Sequence, residues 1–470
     1  SLHYRWLDRQ HNPVWIDCRG DVILDEFNKP LYLIGCVNEI GKRQKADNIS
    51  GLLREPSLEE YVSSKSKNNI RGYFMQIGID DFEEINGRFG LKCGDEILKQ
   101  FSMCMQSCIN ENQKIYELGN GRFMIMDLAN HSKEDILELY DELKKSVEVA
   151  LEENAYRIVY TISVGIVEID KEIQDYNTLI KYSEFALNEA KKKGKNSCYF
   201  FTHDKYRQFI RRREIRVELQ NAVDHNFKNF DVYYQPIIDI HTRNLIGAEA
   251  LMRFKMKRNE QIEFVSPAEF IPILEESGLI IPAGRWILRQ AVACCKKWQE
   301  FIPEFKMNVN LSYVQIIKSG ILDEIKQALK DYNLKPALLG IEVTETGYLE
   351  NTYHYKKLWS SLKEEGITLI LDDYGTGYSN AYRLSDLTPN YIKIDRVLTQ
   401  KALSSNYERS ILIYIIEMAH SLKLNVCIEG VETEEELQEI KKLNPDYIQG
   451  YLFGKPAPED EFYNRQIKKK

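Results

Sequence analysis

Asp372 and Asp373 stand side by side in LILDDYGTGYSN, where apolar residues run into two carboxylates and then a glycine-rich polar turn. A tight turn at a strand end accounts for one aspartate, through hydrogen bonds to neighbouring backbone. The second adds repulsion unless it faces water or a cation. Other strand-like runs supply more oxygen: Glu249 in AEALMRF, Asn310 in NVNLS, Glu342 in IEVTET and Glu429 in CIEGVE. Five acids and one amide make an oxygen-only donor set. Such a set suits two hard cations, Mg²⁺ or Mn²⁺, and not zinc, because neither His nor Cys takes part. One aspartate then bridges the pair of cations while the other binds the second, and the metal charge cancels their repulsion.

The run YIKIDR adds Lys393 and Asp395, alternate residues that a period of two points to one side. A lysine beside cations can orient a reacting water or take its proton, because nearby positive charge lowers the pKa of both. Arg253, four residues after Glu249, would pair with a phosphate. Together these residues suggest phosphoryl chemistry, with two cations clamping the attacking and leaving oxygens. Each alone has a plainer reading: strand-end acids form turns and ion pairs, Asn310 suits a turn, and Lys393 suits an ion pair inside a barrel. The set resists that reading, since a barrel without cations would leave its acid cluster uncompensated.

Positioning them is the task of a repeated theme. From about Phe230 onward, eight short strand-like runs end in polar or acidic residues: VYYQPIID, LIGAEALMRF, FKMNVNLS, LLGIEVTET, ITLILDDYG, YIKIDR, NVCIEGVE and YIQGYLFG. Helical segments such as AGRWILRQAVACCKKWQEF separate many of them. That is the layout of a (β/α)8 barrel, in which the C-terminal strand ends open onto one face and collect the chemistry. Upstream, β-like runs such as YFMQIGID and YTISVGIVEI alternate with helical patterns, the mark of a second α/β domain. The first residues alternate apolar and polar positions around turn signals, which reads as short antiparallel strands followed by a helix-prone GKRQKAD. The expected boundaries are 1–40, 41–202, a charged helical linker at 203–225, and the barrel at 226–470. Arg211 to Arg213 in that linker read as a solvated surface.

The chain has 470 residues, 43% hydrophobic and 29% charged, ample for buried cores. A net charge of -8 disfavours a polynucleotide partner. No run approaches the ~18 apolar residues of a membrane span, and no signal-peptide pattern opens the sequence. Nine cysteines with no CxxC pair, and Cys104 and Cys108 at helical spacing, read as core positions in a reducing cytoplasm. A homodimer is compatible with all of this.

The last region resembles the EAL-domain family of cyclic-di-GMP phosphodiesterases, through YYQPIID, EALMRF, FIPILEESGLI, NVNLS, EVTET, DDYGTGYSN, YIKID, EGVE and QGYLFG. The resemblance implies a TIM-like barrel that opens cyclic-di-GMP to linear pGpG. It implies metal ligation by Glu249, Asn310, Glu342, Asp372, Asp373 and Glu429, with Lys393 next to the nucleophilic water. It further implies that Gln235, Arg253, Asp395, Glu432 and Gln449 help hold substrate, and that Glu345 anchors the loop after Asp373. Phe254 stands where the family usually has Trp, Tyr374 where Phe is usual, and Asn380 where Ser is usual; none removes a ligand.

The middle region resembles the GGDEF family of diguanylate cyclases, through DNISGLL, DDFEEINGRFGLKCGDEIL, TISVGI and AKKKGKNSCYF. Its signature reads GNGRF at Gly119 to Phe123, so Gly121 and Arg122 replace the acidic pair, and Gly78 replaces the first metal-binding Asp. Cyclase chemistry needs carboxylates for cations on the triphosphate, whereas an arginine there pairs with phosphate. The RxxD inhibition motif is absent, since Asn110 to Gln113 reads NENQ. Asn86 and Asp95, which in the family face the guanine, remain, with phosphate-friendly Gly119 and Gly121. GTP binding without turnover and a structural remnant are both open. The opening stretch resembles the C-terminal part of a PAS sensory domain, through YRW, DRQHNPVW and LIGCVNEI, which implies a longer protein upstream. The expected function is a two-metal cyclic-di-GMP phosphodiesterase; the alternative is a receptor that holds cyclic-di-GMP without cleaving it, and an intact ligand set argues against it.

Overall fold

The computed structural model describes residues 2–7, 13–24, 29–40, 47, 49–65, 71–128, 131–152, 158–170, 175–258, 260–344, 352–375 and 388–468. The chain forms two compact units, 1–209 and 210–470.

In the first unit, β1 (Leu2–Leu7), β2 (Pro13–Leu24) and β3 (Pro30–Ile40) form an antiparallel sheet, the arrangement read from the alternating opening residues. The helix-prone stretch at 41–46 lies outside the described residues. A second sheet is built from β4 (Leu53–Arg54), β5 (Gly72–Ile79), β6 (Gln113–Gly119), β7 (Arg122–Asp127), β8 (Ile162–Ile169) and β9 (Cys198–Phe200), in the order β4-β6-β7-β5-β8-β9. Central β5 is buried at every residue because helices cover both faces. Its period of two divides the core. Tyr73, Met75, Ile77 and Ile79 join the side of helices Leu91–Cys108 and Lys133–Glu152, while Phe74 joins that of Glu55–Lys65 and Tyr176–Lys192.

The second unit carries β10 (Phe230–Asp239), β11 (Leu245–Arg258), β12 (Gln261–Val265), β13 (Lys306–Asn310), β14 (Leu339–Thr344), β15 (Thr368–Tyr374), β16 (Tyr391–Ile394), β17 (Asn425–Glu429), β18 (Tyr447–Gln449) and β19 (Ala457–Pro458). Eight of them close a barrel in the order β11-β13-β14-β15-β16-β17-β18-β10, with β10 pairing back onto β11. One detail departs from the (β/α)8 expectation. Neighbours from β11 to β18 are parallel, but β10 is antiparallel to both β11 and β18. The cause is local: a short loop holding the Asp239 turn joins β10 to β11, too short for the crossover that parallel strands need. So β10 presents the middle of its length to the mouth, with Gln235 opposite Glu249 in register.

Helices wrap the outside. In Ile280–Trp298, Ala283, Ile287, Ala291, Cys294 and Trp298 recur at helical spacing and are all buried. The helix His203–Asp224 sends Ile215, Leu219 and Ala222 into the barrel's core, so its second half is part of that unit. Arg211 pairs with Glu263 and Glu269, and Arg212 with Glu276, so two of the cluster's three arginines are paired within the protein. Phe254, the departure from Trp, is fully buried and packs on Phe230 and Phe270 at centroid distances of 4.9 and 5.9 Å.

Candidate metal centre and substrate site

Each strand from β11 to β17 in the ring delivers one part of the site. Asn310 ends β13 and Glu429 ends β17; Glu342, Asp372 with Asp373, and Lys393 lie within the last three residues of β14, β15 and β16. Glu249 sits mid-strand, because β11 runs on past the mouth to pair with β12. At the centre is Lys393, 1% exposed. Its Nζ lies 2.9 Å from Glu249 Oε2, 2.9 Å from Glu342 Oε2, 2.7 Å from Glu429 Oε1 and 3.4 Å from Asp372 Oδ1. Asn310 Nδ2 donates to Glu249 Oε1 at 2.6 Å, and Gln449 Nε2 to Glu249 Oε2 at 2.8 Å and Gln235 Oε1 at 3.1 Å.

Four carboxylates therefore contact one ammonium, and Asp373 joins Asp372 and Glu429 beside it. Burial would depress the Lys393 ammonium, but Asp372, Glu249, Glu342 and Glu429 outweigh it and hold its pKa well above the usual lysine range. The acids carry the unpaid balance. Burial and Glu249 push Glu342 well up; burial pushes Asp372 up, against Lys393. Burial, with Asp372 and Glu249 as neighbours, drives Glu429 up to about 8, and burial with Asp372 drives Asp373 up to about 6. Glu249 alone falls below its usual range, because Lys393, Gln449 and Asn310 outweigh its burial.

The donors fit a pair of divalent cations. Glu249, Glu342 and Asp372 offer oxygens within 4.8 Å of one another, as do Asp372, Asp373 and Glu429, so Asp372 belongs to both sets. Asp372 Oδ1 is buried and makes no hydrogen bond, its nearest positive charge being Lys393 Nζ at 3.4 Å, which leaves it lone pairs that a divalent cation would satisfy. Asp373 holds φ of 55°, a left-handed backbone that a non-glycine residue adopts at a cost.

The remaining candidates spread around the mouth. Gln235 and Gln449 meet Glu249 directly. Arg253 donates to the Met252 carbonyl at 2.9 Å, lies 5.6 Å from the Tyr233 ring, and lines a cavity of about 690 Å³ together with Asn310 and Thr344. Asp395 lies one residue past β16, so the period of two ends before it; its carboxylate caps the helix Arg396–Ser404 by accepting from Val397 N at 2.6 Å. It still raises the Asp373 pKa, third after burial and Asp372. Glu432 pairs with Arg396 at 2.7 Å. Glu345, with Thr376, Gly377 and Asn380, lies outside the described residues. Sequence reasoning missed Asn308 and Tyr391, which lie beneath the carboxylates; the spacing N-x-N and Y-x-K was the available signal.

Residues 216–456 match the model of the EAL domain. The chain belongs to the EAL domain family. Residues 45–197 match "Diguanylate cyclase, GGDEF domain", so GGDEF and EAL domains stand in tandem, homologous to cyclic-di-GMP signalling proteins. Signaling protein YkoW of Bacillus subtilis (strain 168) is 30% identical over 391 residues, 82% of this chain and 48% of YkoW. Cyclic di-GMP phosphodiesterase PdeR of Escherichia coli (strain K12) is 27% identical over 470 residues, 97% of this chain and 68% of PdeR. The chain thus spans about half the length of the first curated relatives it matches. Among solved structures, "PaMucR Phosphodiesterase, c-di-GMP complex" is 28% identical with a TM-score of 0.50, covering 53% of this chain and 99% of that one.

The GGDEF domain has its own cavity, of about 730 Å³, lined by Asp81, Glu83, Glu84, Arg122, Glu184 and Lys191 among others. Asn86, Asp95, Gly119 and Gly121 do not line it. Asn120 and Gly121 form the two-residue turn between β6 and β7, with φ of 53° and 69°, as an Asn-Gly hairpin turn requires. The glycines of GNGRF are thereby explained by the turn. A Cβ on Gly78 would stand 3.1 Å from Lys191 Nζ, so a cation borders the place where a cyclase would carry its first metal-binding Asp. Asn86 Oδ1 is buried without a hydrogen-bond partner, pressed against Gly94, where a Cβ would lie 1.8 Å from it. Among the described residues no helix is long and apolar enough to cross a membrane.

Proposed function

We propose that the EAL barrel is a metal-dependent phosphodiesterase that hydrolyses cyclic-di-GMP to linear pGpG. The observation that carries this reading is the convergence of Glu249, Glu342, Asp372, Asp373 and Glu429 around the single buried ammonium of Lys393. Two Mg²⁺ or Mn²⁺ ions, held by these acids and Asn310, would supply the missing countercharge and ease deprotonation of water. Lys393 keeps its proton in this setting and serves as a donor that orients the reacting water. Arg253 beside Tyr233, Gln235, Gln449, Asp395 and Glu432 would hold the nucleotide, with Arg253 pairing with phosphate. Water's oxygen bonds to one phosphorus as one P–O ester bond breaks, and the freed alcohol takes up a proton. Glu345 would anchor the loop after Asp373. The complete ligand set favours turnover over mere retention of the nucleotide.

The GGDEF domain is read as catalytically inactive, because Gly78 and Arg122 stand at the positions where the cyclase family's carboxylates hold a triphosphate's cations. Two roles then stand for it, guanine nucleotide binding through Asn86 and Asp95 or a structural remnant. The deciding experiment is turnover of cyclic-di-GMP by the purified chain with Mg²⁺ or Mn²⁺, followed chromatographically; no linear product at any metal concentration would overturn the phosphodiesterase reading.

A further inference from the structure

Alternate residues of a strand share a face, so the residues two before Asn310, Glu342 and Lys393 fill the barrel one layer below the carboxylates. They are Asn308, Gly340 and Tyr391, with Ile370 and Cys427 beside them. Asn308 is 2% exposed, and its Nδ2 donates to Glu342 Oε1 at 2.7 Å and to the Tyr391 hydroxyl. A carboxamide nitrogen has two protons, and both are committed. Tyr391 is itself buried and fixed edge-to-face against Tyr447, at a centroid distance of 5.7 Å. Gly340 supplies the room: a Cβ there would stand 2.3 Å from Asn308 Oδ1.

We infer that Asn308 is a positioning residue for Glu342, held by Tyr391 and admitted by Gly340, and that this layer fixes how the most buried acid presents its oxygens to the cations. The inference rests on the two-cation reading above. Glu342 is fully buried, and its other oxygen belongs to Lys393. Without Asn308 the carboxylate is free to turn and offer both oxygens to the ammonium, which competes with the cations for the same lone pairs. Partners of this kind behind a metal ligand typically change metal affinity by about 10- to 100-fold when removed.

The test measures Mn²⁺ binding by calorimetry, with turnover as a function of Mn²⁺, for the whole chain and for Asn308→Ala, Tyr391→Phe and the double variant. Asn308→Ala should weaken Mn²⁺ binding by about 10- to 100-fold, with most of kcat returning at saturating Mn²⁺. Tyr391→Phe should shift affinity the same way by less, and the double variant should bind no worse than Asn308→Ala, since the two act in series. A merely structural role would lower the melting temperature and leave the Mn²⁺ dependence unchanged, which overturns the inference. Additive losses in the double variant overturn the serial link to Tyr391. If Asn308→Ala does not fold, Tyr391→Phe decides, because it keeps the ring; wild-type Mn²⁺ affinity there also overturns the inference. Absence of binding by the wild type would sink the two-cation reading and this one together, whereas binding by the wild type with unaltered variants sinks this one alone.

Discussion

The EAL mouth and the GGDEF cavity both gather acids, yet they treat charge in opposite ways. In the GGDEF cavity two of the four carboxylates have ion-pair partners, Asp81 with Lys195 at 2.7 Å and Glu184 with Arg122 at 3.4 Å, all well exposed to solvent. In the EAL mouth, five acids share one buried lysine, and four of them have pKa values pushed upward. Surface pairs in water contribute little and ask for nothing more. Buried, undercompensated carboxylates are costly and persist only where a ligand makes up the difference. The buried mouth concentrates a demand for countercharge that the exposed cavity does not.

The comparison breaks most sharply at Asp372, the residue common to both oxygen clusters. Asp372→Asn should keep the fold and lose turnover by on the order of 10² to 10³-fold, the weight of several kcal/mol of charge stabilisation. Chelation of the wild type should abolish turnover outright. An Asp372→Asn enzyme with near-normal rate would leave the bridging role without support.

Glu345→Ala should act through metal binding and cost about tenfold at limiting Mg²⁺ or Mn²⁺, with partial rescue by excess cation. Gly375, at φ of 102°, has Leu398 2.6 Å from where a Cβ would stand, so this position accepts no side chain without a shift. A metal dependence identical to wild type would make Glu345 purely structural.

These expectations show how much the sequence carried. The acids at the mouth were legible because most lie in the last three residues of their strands, a repeated pattern that sequence order displays; Glu249, mid-strand in β11, is the exception. The reversal of β10 was not, since VYYQPIID reads the same in either direction and only the short Asp239 turn reveals it. Asp395 was placed by a strand period that stops at Ile394. Asn308 and Tyr391 escaped because they lie one layer below the mouth and meet Glu342 from behind, a contact that only the folded barrel reveals.

A smaller effect follows from the raised carboxyls. Burial and neighbouring acids hold Glu429 at about 8 and Asp373 at about 6, both above their unfolded values. Such groups contribute stability that is complete below the unfolded pKa and is lost as pH rises through the folded one. In the metal-free barrel that window runs from about 4.5 to about 8 for Glu429. Cations need the deprotonated forms, so they compete with protons across it. The rise in melting temperature on adding Mn²⁺ should therefore be larger at about pH 8 than at about pH 6. Equal rises would show that these carboxyls are already ionised without metal.

The smallest expected effect tests whether the GGDEF cavity speaks to the barrel at all. Helix Tyr176–Lys192 turns Glu184 and Lys191 toward that cavity, while its Tyr182 and Phe185 pack on Tyr206 and Phe209, at the start of the helix that runs on to Asp224. A nucleotide that shifts the first helix would disturb the second through these rings. Coupling requires that GTP bind one arrangement better than another, since equal affinity moves no equilibrium. A difference of about 1.4 kcal/mol changes the ratio roughly tenfold, within the usual range for allosteric coupling. Against it stand Asp81, Glu83, Glu84 and Glu184, which outnumber Arg122 and Lys191 around the cavity and repel a triphosphate. The expected result is weak GTP binding with a change in cyclic-di-GMP turnover of no more than about tenfold. Titrating GTP while following heat and hydrolysis decides it: no heat and no change in rate at roughly millimolar nucleotide would make the GGDEF domain a spacer whose excess of acids turns the nucleotide away.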